Sequence, residues 1–215
     1  MHFSKIKIGV FGGTAFDSSR GAVYLQAKQV PCVSVAMSNN PDAQNALYAE
    51  PKKLIARFEE LVTEHQLSHV ILFCNSLSLA APWREIYKGT LYELGGYYQT
   101  LLPQLKTTKT AVVVAEPGTK QKLEHLIKTK GLNPYGQSHV FAELDLIKQL
   151  EVSNENEQRQ LISNYFKQKN KQGFTHVVTG CTHLDHPDFW EWKEPKIVQP
   201  GLQMLHDFID YYKTL

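Results

Sequence analysis

The chain has 215 residues, 42% hydrophobic and 20% charged, with a formal net charge of +2. That is long enough to bury a real core, in one large domain or two small ones, and the composition is ordinary for a soluble globular protein. No segment concentrates Lys or Arg, which argues against a nucleic-acid footprint, and no apolar stretch approaches membrane-spanning length.

The opening residues enter a strand pattern without signal-peptide architecture, so a cytoplasmic protein is expected. A first strand over residues 6–11 runs into Gly12-Gly13, a strand–glycine–helix arrangement that cradles ligands in parallel sheets. The following GGTAFDSSRG is not a dinucleotide fingerprint. A short helix is expected over 21–29, a second strand over 30–37 with Cys32 as a core residue, and a surface loop over 38–49. Proline at the first turn and apolar Leu54, Ile55, Phe58, Leu61 and Val62 predict a helix from 51 to about 64. A strand then ends at Cys74. Residues 80–105 read as a core helix, with an aromatic interface of Trp83, Tyr87, Tyr92, Tyr97 and Tyr98 as the alternative and hence a candidate homodimer surface.

The second half repeats the first. A strand over 110–115 is followed by Glu116-Pro117-Gly118-Thr119 and a helix from about 120. A short strand is expected over 137–141, a helix after the acidic residues 151–157, a strand ending at Cys181, a last strand over 196–198 and a helix from about 202. Residues 68–77 (SHVILFCNSL) and 175–184 (THVVTGCTHL) align without a gap, with His, Val, Cys and Leu on their own kind. The fold expected is α/β, with two pseudo-symmetric lobes, each a mostly parallel sheet flanked by helices, and the active site between them. The first lobe is placed at 1–102, with 200–215 packing back on it, and the second at 103–199.

Ligands in such sheets bind beyond the carboxyl ends of the strands. Four segments lie there: 12–19, 74–78, 116–119 and 181–183. Their glycines, hydroxyls and amides, with helix starts behind them, suit a small anion held between lobes. Three cysteines, an odd number, point to reduced thiols. A strand-end, helix-start position favours the thiolate, with Asp17 and His183 as candidates for tuning Cys74 and Cys181. An isolated strand-end cysteine is more often an inert buried residue; the matched pair favours the reactive reading. Cys181, His183 and His186 form C-x-H-x-x-H, a rival zinc reading that leaves Cys74 unexplained.

At these segments the chain resembles the cofactor-independent aspartate/glutamate racemase superfamily. Cys74-Asn75-Ser76 matches its first cysteine motif, C-N-[ST], and Gly180-Cys181-Thr182-His183 matches its second in the glutamate racemase-like form. IGVFGGTAFDSS resembles the opening loop of aspartate racemase-like members, with Asp17 and Ser18 at its acidic and serine positions; read differently, Phe16-Asp17-Ser18 matches the F-D-S of glutamate racemases. Ala115–Thr119 resembles the element that opens the second lobe of glutamate racemases. The chain departs from the family at Gln199, where aspartate is frequent, and at Thr14-Ala15, an insertion relative to a glutamate racemase start.

The resemblance implies a PLP-independent racemase of glutamate or aspartate that needs no cofactor or metal, with Cys74 and Cys181 as its two acid/base groups and Asp17 and His183 assisting. Gly13, Thr14, Ser18, Asn75, Ser76, Thr119 and Thr182 would hold the dicarboxylic amino acid. A maleate-type cis–trans isomerase of the same superfamily and a non-catalytic dicarboxylate-binding protein are the alternatives.

Overall fold

The computed structural model of the protein describes residues 6–133 and 136–215; the reading of residues 1–5 falls outside them. β1 (Ile8–Gly12) is buried along its whole length and leads into α1 (Ala15–Ala27), then β2 (Val33–Ala36). Two helices follow, α2 (Pro41–Tyr48) and α3 (Pro51–Glu64), before β3 (His69–Leu72). A one-turn helix α4 (Asn75–Ser78), a second α5 (Trp83–Ile86), β4 (Thr90–Glu93) and α6 (Leu94–Leu101) complete the first half.

The second half starts at β5 (Thr110–Val114) and runs through α7 (Pro117–Thr129), β6 (Ser138–Ala142), α8 (Leu144–Val152) and α9 (Glu155–Lys171) to β7 (His176–Thr179). Short 3-10 turns, β8 (Lys196–Val198) and α10 (Pro200–Tyr212) close the chain.

All described strand pairs are parallel, and both sheets have one order: β2-β1-β3-β4 and β6-β5-β7-β8. The duplication seen in the sequence is therefore a duplication of topology. It extends to hydrogen bonds. Ser68 Oγ lies 2.9 Å from His69 Nδ1 and Thr175 Oγ1 lies 3.1 Å from His176 Nδ1. The two hydroxyls donate to the Lys7 and Lys109 carbonyls, and the Ser68 and Thr175 carbonyls accept from Thr90 and Lys196. The fold divides into two compact units, residues 1–94 with 204–215, and residues 95–203.

Each unit has its own core. In the first, Phe58 on α3 packs between Phe11 and Trp83, with ring centroids 5.1 and 4.7 Å apart. The buried Leu54, Phe58 and Leu61 form the apolar stripe that the helical spacing predicts. In the second, Ile162 and Phe166 of α9 pack with Val177, Leu184 and Phe189. Among the described residues no helix is long and apolar enough to cross a membrane.

Four expectations need correction. Residues 38–49 are not a loop: Asn40 Oδ1 accepts from Ala43 N at 2.8 Å and Pro41 opens α2, so the polar, turn-like residues are a helix start. Residues 80–105 are not one helix; β4 interrupts them, placed against β3 by the parallel pairing. The helix placed over 21–29 is α1, which begins at Ala15 and ends at Ala27. Cys32 is half-buried and precedes β2 instead of lying in the core, and its Sγ–H donates to the Ala22 carbonyl at 3.6 Å. One further helix, α8, was not foreseen; its apolar Leu144, Leu146, Ile147 and Leu150 keep helical spacing, but Glu143 makes no side-chain cap bond to announce it.

Candidate active site

Because every strand in a unit runs the same way, each sheet has one carboxyl edge, and the residues singled out in the sequence lie along it. In the first unit, β1 and β3 are neighbours with Phe11 opposite Leu72, and Phe73 N donates to the Phe11 carbonyl at 2.8 Å. This sets the segments 12–18 and 74–78 side by side. Gly12 is required by close approach: a Cβ there would meet the Ser18 nitrogen at 2.4 Å and the Asp17 Cβ at 2.7 Å. The first turn of α1 thus folds back onto the end of β1, carrying the buried Asp17 and Ser18 with it.

A Cβ at Gly13 would strike the Gln44 side-chain amide at 2.1 Å, so Gln44, from α2, lies over that glycine. Gln44 went unnoticed in the sequence because its helix read as a loop. Thr14 is the N-cap residue of α1, and its buried Oγ1 has no hydrogen-bond partner among the described residues. Ser18 Oγ accepts from Ser34 Oγ at 2.9 Å and reaches the Thr14 carbonyl at 3.3 Å.

Cys74, 5% exposed, follows β3 in extended conformation, directly before α4. Its carbonyl accepts from Ser78 N at 2.9 Å. Asn75 is buried beside it and Ser76 half-buried. Ser78 Oγ donates to the Leu72 carbonyl at 3.3 Å and accepts from Leu94 N at 3.2 Å, which locks this turn onto the end of its strand.

In the second unit, β5 and β7 are neighbours, so Thr119 in the first turn of α7 and the segment 180–183 share one edge. Gly180 sits so close to β5 that a Cβ would lie 2.7 Å from the Val113 carbonyl oxygen. Cys181, 7% exposed, is again extended, followed by a 3-10 turn over Thr182–Leu184. Thr182 and His183 are buried.

Cys181 Sγ lies 3.4 Å from His183 Nδ1, and His183 Nε2 lies 3.0 Å from Glu151 Oε1. A carboxylate on Nε2 selects the tautomer with the proton there and leaves Nδ1 free to accept from the thiol. Glu151, near the C-terminus of α8, completes this thiol–imidazole–carboxylate line. Its role is invisible in sequence because it is separated from His183 by 32 positions.

His183 is engaged by Cys181 and Glu151, whereas His186 accepts from Asp188 N at 3.2 Å on Nδ1 and donates its backbone N–H to Gln199 Oε1 at 2.5 Å. Among the described residues no three His, Cys, Asp or Glu side chains are grouped to hold a metal ion. Gln199 and Asp185, both buried, brace the loop after Cys181, Asp185 accepting from the Thr179 hydroxyl. Burial pushes the Cys32 thiol up to about 11, which sets it apart from a reactive thiol.

No protein-family model matches the chain, and no curated protein sequence matches it significantly. Solved structures do. A glutamate racemase from Bacillus anthracis superposes with a TM-score of 0.67 at 14% identity, covering 98% of this chain and 82% of that one. An aspartate racemase from Picrophilus torridus gives 0.64 at 11% identity, covering 97% and 94%. An allantoin racemase from Klebsiella pneumoniae gives 0.62 at 14% identity, covering 98% and 88%. The chain has the α/β fold shared by the glutamate, aspartate and allantoin racemases.

Proposed function

We propose that the protein is a cofactor-independent racemase that inverts the α-carbon of glutamate or aspartate with Cys74 and Cys181 as its two acid/base groups. The observation that carries this reading is the repetition of one device in both units: a buried cysteine two residues past the third strand in sequence, beside a glycine- and hydroxyl-bearing loop from the first.

Racemisation removes a proton from one face of a carbon and delivers another to the opposite face, so two groups of opposite protonation state are needed, exchanging roles with direction. One thiolate takes the α-proton, the C–H electron pair passes into an enolate-like carboxylate, and the second thiol donates its proton to the other face. On the Cys181 side, His183 accepts the thiol proton at Nδ1, and Glu151 stabilises the imidazolium through Nε2. On the Cys74 side, Asp17 is the candidate partner. Gly13, Thr14, Ser18, Asn75, Ser76, Thr119 and Thr182 are assigned to substrate binding, and Gln44 is added to them because its amide covers Gly13.

The test is incubation in D₂O with each enantiomer of glutamate and aspartate, following loss of the α-proton by NMR and inversion by circular dichroism. Exchange with inversion is expected for one amino acid at least. Conversion of maleate without amino-acid exchange would replace this reading with a cis–trans isomerase, and binding without turnover with a dicarboxylate-binding protein. Allantoin belongs in the same panel, because an allantoin racemase shares the fold and Gln44 offers an uncharged amide.

A further inference from the structure

Helix α8 carries Glu151, and α9 grips α8 at both ends. At its start, Glu143 accepts from Tyr165 Oη at 2.8 Å and is paired with the buried Lys169 at 3.4 Å. At its end, the Gln158 side-chain amide donates to two carbonyls, Leu150 O and Ser153 O, each at 2.9 Å. Leu150 is the residue directly before Glu151. The last carbonyls of a helix have no intrahelical donor, so they need an outside partner. The Leu150 carbonyl takes a long bond from Ser153 N at 3.4 Å, and Gln158 adds a shorter one from a rigid base. It lies in the first turn of α9, which a capping box fixes through reciprocal bonds of 3.0 and 3.1 Å between Asn154 and Glu157.

We infer that Gln158 is a positioning residue: by tying down the Leu150 carbonyl in the last turn of α8 and the Ser153 carbonyl just beyond it, it holds the Glu151 carboxylate on His183 Nε2, and so sets the reactivity of the Cys181 thiol. This rests on the reading of Cys181, His183 and Glu151 as one proton-handling line. The alternative is that Gln158 only adds stability to the α8–α9 junction. The two differ in what moves when it is changed. A stability bond alters the melting temperature, whereas a positioning bond also alters the chemistry of a thiol it does not touch.

The experiment is alkylation of the intact protein with iodoacetamide across a pH series, with Cys181 followed by peptide mass spectrometry; it needs no substrate. Four variants decide it: Glu151→Gln, Gln158→Met, which keeps length but removes both donors, the milder Gln158→Asn, and Tyr165→Phe, which loosens the far end of α8. The expected result is that Glu151→Gln and Gln158→Met both move the labelling profile of Cys181 to higher pH, by about one unit or tenfold in rate at a fixed pH below the midpoint. Gln158→Asn moves it part of the way, and Tyr165→Phe lowers the melting temperature without moving it.

A Gln158→Met profile that overlays the wild type, or a Tyr165→Phe shift equal to that of Gln158→Met, overturns the proposal. Should Gln158→Met fail to fold, an unshifted Gln158→Asn profile overturns it equally. Wild-type protein that racemises none of the amino acids, yet shows these shifts, would sink the functional reading and leave Gln158's role standing.

Discussion

At the scale of single residues, the two thiols share a position but not a partner. Cys181 has an imidazole at 3.4 Å backed by a carboxylate, whereas the residue aligned with His183 in the first repeat is Ser76, so no imidazole stands at that place beside Cys74. On the proposed mechanism the two protons meet different chemistry, and Glu151→Gln should act on the Cys181 face only. We expect roughly a tenfold slower removal of the α-proton from the enantiomer for which Cys181 is the base, equivalent to about 1.4 kcal/mol of barrier. Wash-out of the α-proton in D₂O from each pure enantiomer measures this, and equal losses in the two exchange half-reactions would contradict it. The sequence singled out the cysteines through their repeated context, and His183 through its place two residues after Cys181. It concealed Glu151 and Gln44, because each gains its place from a helix packing across space, and nothing in the neighbouring letters marks either as special.

At the scale of elements, the site depends on how tightly each loop returns to its strand. The first turn of α1 comes within contact of Gly12, with the Ser18 backbone nitrogen in the way of any Cβ. Backbone cannot yield as a flexible side chain can. Gly12→Ala should cost about 1–3 kcal/mol and displace Asp17 and Ser18 together. Thermal melts and substrate affinity read both effects; a variant with wild-type melting temperature and affinity would show that the turn is slacker than it looks.

Buried strands were easy to foresee, since β1, β3, β5 and β7 are short apolar runs bounded by turn residues. Helices α2 and α8 were not. The first opens on Asn40-Pro41, which serves equally as a turn or as a helix start, and the second begins without a capping bond. Strand β4, four residues with all four half-buried, has no alternation to announce it and exists because β3 offers an edge to pair with.

At the scale of the whole molecule, the repeat predicts matched behaviour toward acid. Burial holds the pKa of His69 below the ordinary imidazole value; at His176 burial does the same, with Lys196 adding to it. Unfolding restores both to about 6.5. Above that pH these sites are neutral in both states and their contribution to stability is intact. As pH falls below it, the unfolded chain takes up protons first, so stability is lost until the pH has passed the folded values. Melting temperature should therefore drop between pH 7 and 5, and His69→Gln should flatten that drop. An unchanged slope in the variant would remove His69 from the account.

The division of the chain into halves could be read from the sequence because the duplicated segment is itself a strand and its following loop. The strand order 2-1-3-4 in each sheet could not, since pairing depends on which apolar runs lie adjacent after the helices have packed.

The central proposal is that Cys74 and Cys181 act as the two acid/base groups of one racemase. Racemisation by Cys74→Ser and Cys181→Ser, measured in D₂O from each enantiomer of the accepted amino acid, tests it most directly. The account predicts that each single variant loses net racemisation in both directions by about 10²-fold or more. Near-wild-type inversion by either variant alone would contradict a two-thiol mechanism outright.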